Sequence, residues 1–158
     1  MVDFSKILEA QSGSAAEPKK LPQGTYFGTL AAVPTTRVVK TKEGERGLLR
    51  FKFDLNDAGD DVDPDELGEA GGLRTPSGTA VSVYAEFWLD TDGGPTYGMD
   101  QFLRTFQVEG FGEGKSYSDV FKEIVGREVV IALTKETQTG RDGQTFVKNE
   151  VKRAHAAS

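Results

Sequence analysis

The segment LLRFKFDL, residues 48–55, constrains the fold of this 158-residue chain more than any other stretch. Its large apolar side chains alternate with other residues, so that one set points to a core and the other set points away from it. The core set is Leu49, Phe51, Phe53 and Leu55, and the outward set is Leu48, Arg50, Lys52 and Asp54. Similar alternation recurs in AVSVYAEFWLD (residues 80–90) and in REVVIALTKE (residues 127–136). These patterns predict a mainly β protein.

The order of the predicted elements indicates the type of sheet. Strands are expected at residues 21–33, 48–55, 80–90, 127–136 and 145–153, and helical patterns occupy residues 96–110 and 116–126. Five strands with a helical segment between strands 3 and 4 is the order of an oligonucleotide/oligosaccharide-binding (OB) barrel. A plain α+β sheet with helices on one face fits the same order and is the alternative.

The chain is predicted to hold one OB-like domain, residues 21–156, after an N-terminal segment of residues 1–20. In that segment, residues 3–10 have the pattern of a short helix, and QSGSAAEPKK is typical of a flexible linker. An acidic insertion, residues 54–79, separates strands 2 and 3. It is rich in Gly, Pro and acidic residues and has few large apolar ones, which predicts a long mobile loop.

Charge is unevenly distributed along the chain. The net charge is −6, but residues 54–73 carry eight acids and no base, so the remainder is at −6 + 8 = +2. Residues 37–52 hold six bases and two acids, a local charge of +4. A basic groove can coexist with a distant acidic loop because salt screens charges over about 8 Å. The distribution of charge therefore permits nucleic-acid binding, although the net charge is negative.

Three interpretations of the acidic insertion follow from its residues. It could be a solvated loop, a calcium loop, or an anionic mimic that competes with nucleic acid for a groove. A calcium loop beginning at Asp61 needs Gly at its sixth position and Glu at its twelfth, and these are Glu66 and Gly72. The solvated loop is the favoured interpretation, and no metal site is expected.

Bases and aromatic residues coincide where an OB barrel would bind its ligand. That fold uses the face of strands 2 and 3, with the loops joining strands 1–2 and strands 4–5. Cations can neutralise phosphates, and aromatic rings can stack on unpaired bases. The candidate nucleic-acid-binding residues are Arg37, Lys40, Lys42, Arg46, Arg50, Lys52, Tyr84, Trp88, Lys135, Arg141, Phe146 and Lys148. The alternative is that the bases form cross-strand ion pairs and that the rings cover the barrel or pack under the N-terminal helix.

Little in the sequence favours catalysis. The chain has no cysteine, which excludes disulfides, zinc–thiolate sites and cysteine nucleophiles. The one histidine, His155, lies three residues from the C-terminus, where disorder is common. The Gly-Lys-Ser triplet at residues 114–116 lacks the first glycine of a phosphate-binding loop, because that position is Glu109. We expect a protein that is not an enzyme and has no catalytic residues and no cofactor.

Several short motifs together resemble a family of small bacteriophage replication-module proteins. These motifs are VDFSKI (residues 2–7), LPQGTY (21–26), TKEGERGLLRFKFDL (41–55), FLRTFQVEG (102–110), IVGREVVIALTKE (124–136) and GQTFVKNEV (143–151). Members of that family look like single-stranded DNA-binding proteins, and many are known only as a domain of unknown function. The resemblance implies an OB-type barrel that binds single-stranded DNA in phage replication or recombination. Many such binders end in an acidic tail that recruits partners, whereas this chain ends in VKRAHAAS.

The predicted function is therefore non-catalytic binding of single-stranded DNA with little sequence preference. Replication or recombination proteins and a second copy of the chain are further expected partners. One alternative is a protein-interaction module that uses the acidic insertion to engage host replication or defence proteins. Another is a structural β domain of a virion. No stretch of eighteen apolar residues and no secretory signal is present, so we expect no membrane association and a cytoplasmic location, in the host if the protein is phage-encoded.

Overall fold

The computed structural model describes residue 8 and residues 20–157. Within these residues the chain forms six strands and three helices. The strands are β1 (Gly24–Leu30), β2 (Thr35–Thr41), β3 (Gly44–Ala58), β4 (Ser82–Trp88), β5 (Glu128–Thr139) and β6 (Thr145–Ala156). The helices are α1 (Pro64–Glu69), α2 (Tyr97–Arg104) and α3 (Tyr117–Ile124). The helix and linker predicted for residues 1–20 lie outside the described residues, apart from Leu8 and Lys20.

The strands form one antiparallel sheet around the long strand β3. The order is β2-β3-β1-β5-β6, and β4 pairs with the other edge of β3. Over its 15 residues, β3 pairs first with β2 and then with β1 along one edge. The prediction of a mainly β protein is confirmed, and the sheet is consistent with an OB-like fold. The closed barrel is not observed, because β4 and β6 lie side by side without hydrogen-bonded pairing in the described part of the chain.

The strand count and the helix positions differ from the prediction. The sheet has six strands rather than five, because residues 35–41, predicted as part of a loop, form β2. None of the β2 side chains is buried, so the segment has no apolar periodicity to reveal it. Its strand conformation comes from antiparallel pairing with β3, from Thr35 opposite Arg50 to Thr41 opposite Gly44. Helices α2 and α3 consequently lie between the fourth and fifth strands, and α1 is an additional helix.

The core lies between the inner face of β3 and helix α2. Phe51 and Phe53 are completely buried, as the alternation in β3 predicts. The ring of Phe102 on α2 lies 5.0 Å from that of Phe51 and 5.5 Å from that of Phe87, centroid to centroid. Such aromatic pairs add about 0.5–1.5 kcal/mol each to the area they bury. This packing fixes β3 and β4, whose opposite faces carry exposed side chains, although Leu48 is buried there.

The acidic insertion is folded and anchored, so the prediction of a mobile loop is wrong. Asp63 caps α1 by accepting hydrogen bonds from the backbone N–H groups of Asp65 and Glu66. Val62 is buried against the core, and a β-carbon added at Gly24 would lie 2.7 Å from the Val62 side chain. The buried Val62 side chain and the capped helix α1 give the insertion a folded structure, although its composition suggests disorder.

Hydrogen bonds also fasten the insertion to β1. Asp61 accepts hydrogen bonds from the N–H and the hydroxyl of Thr25, each 2.9 Å long, and these bonds hold the pKa of Asp61 below its usual range. The buried Tyr26 hydroxyl beside it donates to the carbonyl oxygen of Pro22 over 2.6 Å. Burial, with the nearby charges of Glu66 and Asp61, raises the pKa of Tyr26 to about 12. The start of β1 is therefore fixed by the insertion.

Candidate nucleic-acid interface

The exposed face of β3 and β4 gathers four of the predicted binding residues. Side chains directly opposite each other in an antiparallel pair share a face. Arg50 lies opposite Glu86, Lys52 opposite Tyr84, and Leu48 opposite Trp88. We call the surface made by Arg50, Lys52, Tyr84, Glu86 and Trp88 the front face. The alternation in LLRFKFDL and AVSVYAEFWLD places these side chains there, because the residues between them are committed to the core.

Two arginines lie over the aromatic rings of the front face. The guanidinium carbon of Arg50 is 4.8 Å from the centroid of the Tyr84 ring, and that of Arg46 is 5.3 Å from the centroid of Trp88. Arg46 Nε also donates to the carbonyl oxygen of Leu89 over 2.8 Å. The rings are still 43% and 42% exposed, respectively. Each arginine–ring pair therefore presents a flat, positively charged surface to solvent.

Glu86 holds two arginines at the centre of this surface. Its Oε2 atom accepts from Arg50 Nη2 over 3.3 Å and from Arg37 Nη2 over 3.5 Å. The Nε atom of Arg50 is buried and has no acceptor among the described residues. The donors of Arg50 are thus only partly satisfied by protein groups. A phosphate can accept hydrogen bonds from the Arg50 donors that face solvent. The Arg50–Glu86 ion pair does not prevent this, because exposed ion pairs contribute only about 0–1 kcal/mol to folding.

The β5–β6 hairpin meets the front face at a cleft. This hairpin cleft has a volume of about 380 Å³, and its rim includes Arg50, Tyr84 and Glu86 from the front face and Lys148 from β6. Asn149, also in its lining, joins the hairpin to Leu21 through hydrogen bonds of 2.9 and 2.8 Å. The fold therefore brings Lys148 next to front-face residues that precede it by 62 residues (Glu86) to 98 residues (Arg50).

The other candidate residues of the β5–β6 hairpin do not all lie beside Lys148. Phe146 is 40% exposed and shares its face of β6 with Lys148, two residues along the strand. Arg141 lies in the turn between β5 and β6. Lys135 points to the opposite side of the hairpin, where its Nζ lies 2.6 Å from Glu66 Oε1 of helix α1. Lys135 is thus paired with the acidic insertion and does not line the hairpin cleft.

The β2–β3 hairpin divides its bases between two sides. Arg37 shares a face with Leu48 and Arg46 pairs opposite Val39, so both arginines lie on the side of the front face. Lys40, opposite Glu45, projects from the other side of the hairpin, and Lys42 lies at its tip. The structure therefore brings together seven of the twelve candidate residues. These are Arg37, Arg46, Arg50, Lys52, Tyr84, Trp88 and Lys148.

Sequence reasoning missed three features of this surface. Glu86 was not among the candidate residues, although its carboxylate links two arginines. Sequence reasoning assigned no role to Asn149. It expected disorder around His155, which instead belongs to β6 and lies opposite Val130. The partners of these residues lie far away in sequence and depend on the strand pairing. Strand β6 itself was partly predicted, from the β-pattern of residues 145–153.

Comparisons with known proteins give little further information. No protein-family model matches the chain, and no curated protein matches it. Among solved structures, a chain from "Yeast RPA bound to ssDNA" is similar at 12% sequence identity, covering 96% of this chain and 86% of that one with a TM-score of 0.34. A likeness at that TM-score carries no weight for fold or function.

Two further findings concern the described residues alone. None of their helices has the length and apolar character needed to cross a membrane. Within residues 20–157, no three side chains of His, Cys, Asp or Glu come together in an arrangement that could hold a metal ion.

Proposed function

We propose that this protein binds single-stranded DNA without catalysing a reaction and with little sequence preference. The observation that carries the proposal is the front face, where Arg50 lies 4.8 Å from the Tyr84 ring and Arg46 lies 5.3 Å from the Trp88 ring. We further propose a protein of phage type that protects or organises single strands during replication or recombination. That finer role is supported only by the resemblance of its sequence motifs.

The charge of this surface suits a phosphodiester backbone. Four cations surround the front face or belong to it, namely Arg37, Arg46, Arg50 and Lys52, and the acids on the same side are Glu86 and Asp54. Lys148 adds a fifth cation across the hairpin cleft. Each phosphate that they neutralise releases condensed counterions, which favours binding at low salt. The surface can therefore attract nucleic acid although the whole chain is acidic.

The exposed rings favour an unpaired strand over a duplex. A base in a single strand exposes its π face, and stacking that face on an aromatic side chain contributes about 1–3 kcal/mol whatever the base. In a duplex these faces are occupied by neighbouring base pairs. Tyr84 and Trp88 lie four residues apart on one face of β4, which spaces them by about 13 Å. Bases of one strand that are not adjacent to each other can therefore stack on both rings.

The test is a mobility-shift titration with a poly-dT oligonucleotide at about 50 mM salt, a condition in which phosphate contacts are strong. Double-stranded DNA and RNA of equal length are titrated in parallel. We expect the single strand to bind tightest and binding to weaken steeply as salt rises. Absence of a shift with single-stranded DNA at this salt, or tighter binding of the duplex, contradicts the proposal.

A protein-interaction role for the acidic insertion is the second candidate. One observation favours it, because the insertion is a folded segment anchored by Val62 and can present a fixed surface. Against it, Asp61, Asp63 and Glu66 are already engaged within the chain. A variant with Asp60→Asn and Asp65→Asn keeps these anchors. DNA binding that stays equal or rises in this variant fits the first proposal, whereas its loss shows that the insertion takes part in DNA binding.

A further inference from the structure

A second cleft, larger in volume, lies further along the seam where β4 and β6 lie side by side. It has a volume of about 640 Å³ and is bounded by β4, α2 and β6. We call it the seam cleft. Its apolar part includes Phe87 and Phe102, and Gln101 of α2 also lines it. Glu86 and Val151 line both this cleft and the hairpin cleft, so the two are adjacent along the seam.

A β-bulge brings two consecutive cations to this cleft. In the β5–β6 pairing, Leu133 lies opposite Val151 and Ala132 lies opposite Arg153, so Lys152 has no residue opposite it. Successive side chains of a regular strand point to opposite faces, and a bulge redirects them locally. Lys152 and Arg153 both line the seam cleft as a result. Neither makes an ion pair within the described residues.

The composition of the seam cleft matches a segment of nucleic-acid backbone. Lys152 and Arg153 supply two positive charges, while Glu86 is the acid in its lining. His155 and Gln101 add side chains that can donate hydrogen bonds to phosphate, sugar or base edges. By contrast, the front-face arginines already contact Glu86 or an aromatic ring. Lys152 and Arg153 of the seam cleft therefore have fewer competing contacts within the protein than the front-face arginines.

We propose that the seam cleft is a second subsite for the same single strand. It takes the sugar–phosphate backbone and one or more bases that extend beyond the front face. This inference rests on the proposed function, because it concerns the path of the strand whose first part lies over Tyr84 and Arg50. Lys152 and Arg153 neutralise phosphates there, and Glu86 separates the two subsites.

The test compares Lys152→Ala and Arg153→Ala with Lys122→Ala, a matched change of charge on the exposed side of α3 that lines neither cleft. Each variant is titrated with oligothymidylates of about 4–16 nucleotides, the range bound per OB fold. Short strands should bind all variants like the wild type. Long strands should bind Lys152→Ala and Arg153→Ala more weakly, with a salt slope smaller by about 0.7 per lost phosphate contact. When the salt concentration rises fourfold, the affinity of such a variant should therefore fall about 2.6-fold less than that of the wild type.

A second readout is independent of affinity. His155 is the one histidine of the chain, so its ring resonances are assigned without ambiguity in an NMR spectrum. They should shift when a long oligothymidylate is added and stay unchanged with a short one. Unchanged His155 resonances, with salt slopes equal to that of Lys122→Ala, overturn the second subsite.

The outcomes separate this inference from the proposed function. If the wild type binds no oligothymidylate of any length, both fail. If the wild type binds, and Arg50→Ala weakens binding while Lys152→Ala and Arg153→Ala do not, the front face stands and the seam cleft alone is refuted. Thermal melting of every variant confirms that it is folded before binding is compared.

Discussion

Neutralising Glu86 should strengthen the binding of single-stranded DNA. The Glu86 carboxylate lies among the cations of the front face and accepts from Arg37 and Arg50 through one oxygen, over 3.5 and 3.3 Å. A bound phosphate must approach these arginines against the charge of the carboxylate. Glu86→Gln removes the charge but keeps an amide oxygen that can still accept from both arginines. The geometry of the face is thereby preserved while one repulsion is lost.

The size of the effect follows from Coulomb's law. A phosphate on Arg37 or Arg50 at about 6 Å from the carboxylate is repelled by about 0.7 kcal/mol in water, which corresponds to about threefold in affinity. The exposed ion pairs contribute only about 0–1 kcal/mol to folding, so the variant should remain folded. We expect Glu86→Gln to bind a dT oligonucleotide about threefold more tightly at about 50 mM salt, with the gain shrinking as salt screens the charge.

Fluorescence or mobility-shift titration measures this change, and thermal melting controls for folding. The matched control is Glu123→Gln, which removes the same charge and breaks a comparable surface ion pair, with Lys115, away from the front face. That variant should bind like the wild type. Weaker binding by a folded Glu86→Gln protein, or an equal gain in both variants, refutes the interpretation of the front face as a phosphate-binding surface.

Three further changes test other parts of the structure. Tyr84→Leu should weaken binding of a dT oligonucleotide by about 1–3 kcal/mol through lost stacking, and an unchanged midpoint in a mobility shift removes Tyr84 from the site. Lys135→Ala should leave DNA affinity within about twofold, because Lys135 pairs with Glu66 of the insertion and does not line the hairpin cleft; a loss as large as that of Arg50→Ala contradicts this placement. Since the pKa of Tyr26 is raised from 10.0 to about 12, the unfolded state loses this proton first, and stability should fall between about pH 10 and pH 12. In urea unfolding, the free energy of unfolding of Tyr26→Phe should fall less with rising pH than that of the wild type. Part of the fall should remain, because the pKa of Tyr117 is also raised to about 12. An identical fall in both proteins contradicts the role of Tyr26.

The front face was predictable because its signal is local. Alternation in β3 assigns Phe51 and Phe53 to the core, and this assignment alone turns Arg50 and Lys52 outwards. Helix α3 was predictable for a similar reason. Ser116 caps it by accepting from the N–H of Asp119 over 3.2 Å, and Gly126 follows its end with a φ of +85°. Each of these features is specified within a few residues of sequence.

Strand β2 could not be found in this way. Its residues are exposed or half-exposed, so no apolar side chain marks one face. The segment is a strand because β3 extends far enough to pair with it, from Thr35 to Thr41. The pairing also moves Arg37 beside Glu86, a contact between residues 49 apart in sequence. Only the register of three strands determines that contact.

The acidic insertion was misread because its anchors are few and distant. Composition favours disorder, but beyond the end of β3 Val62 supplies a buried side chain and Asp63 supplies a cap. The contact between Glu66 and Lys135 joins residues 69 apart in sequence. It also holds Lys135 beside the negative charge of the insertion. A local pattern does not contain this information, since it depends on where β5 passes the insertion.

The fluorescence of Trp88 tests most directly whether single-stranded DNA lies on the front face. Trp88 is the one tryptophan of the chain and is 42% exposed, so a stacked base should quench its emission. We expect saturable quenching by a dT oligonucleotide at about 50 mM salt. If the five cations around the face each neutralise a phosphate, the slope of log K against log salt is about −3.5, and affinity falls by about 100-fold between 50 and 200 mM. Binding that leaves the Trp88 emission unchanged, or that does not depend on salt, contradicts a single strand on this face.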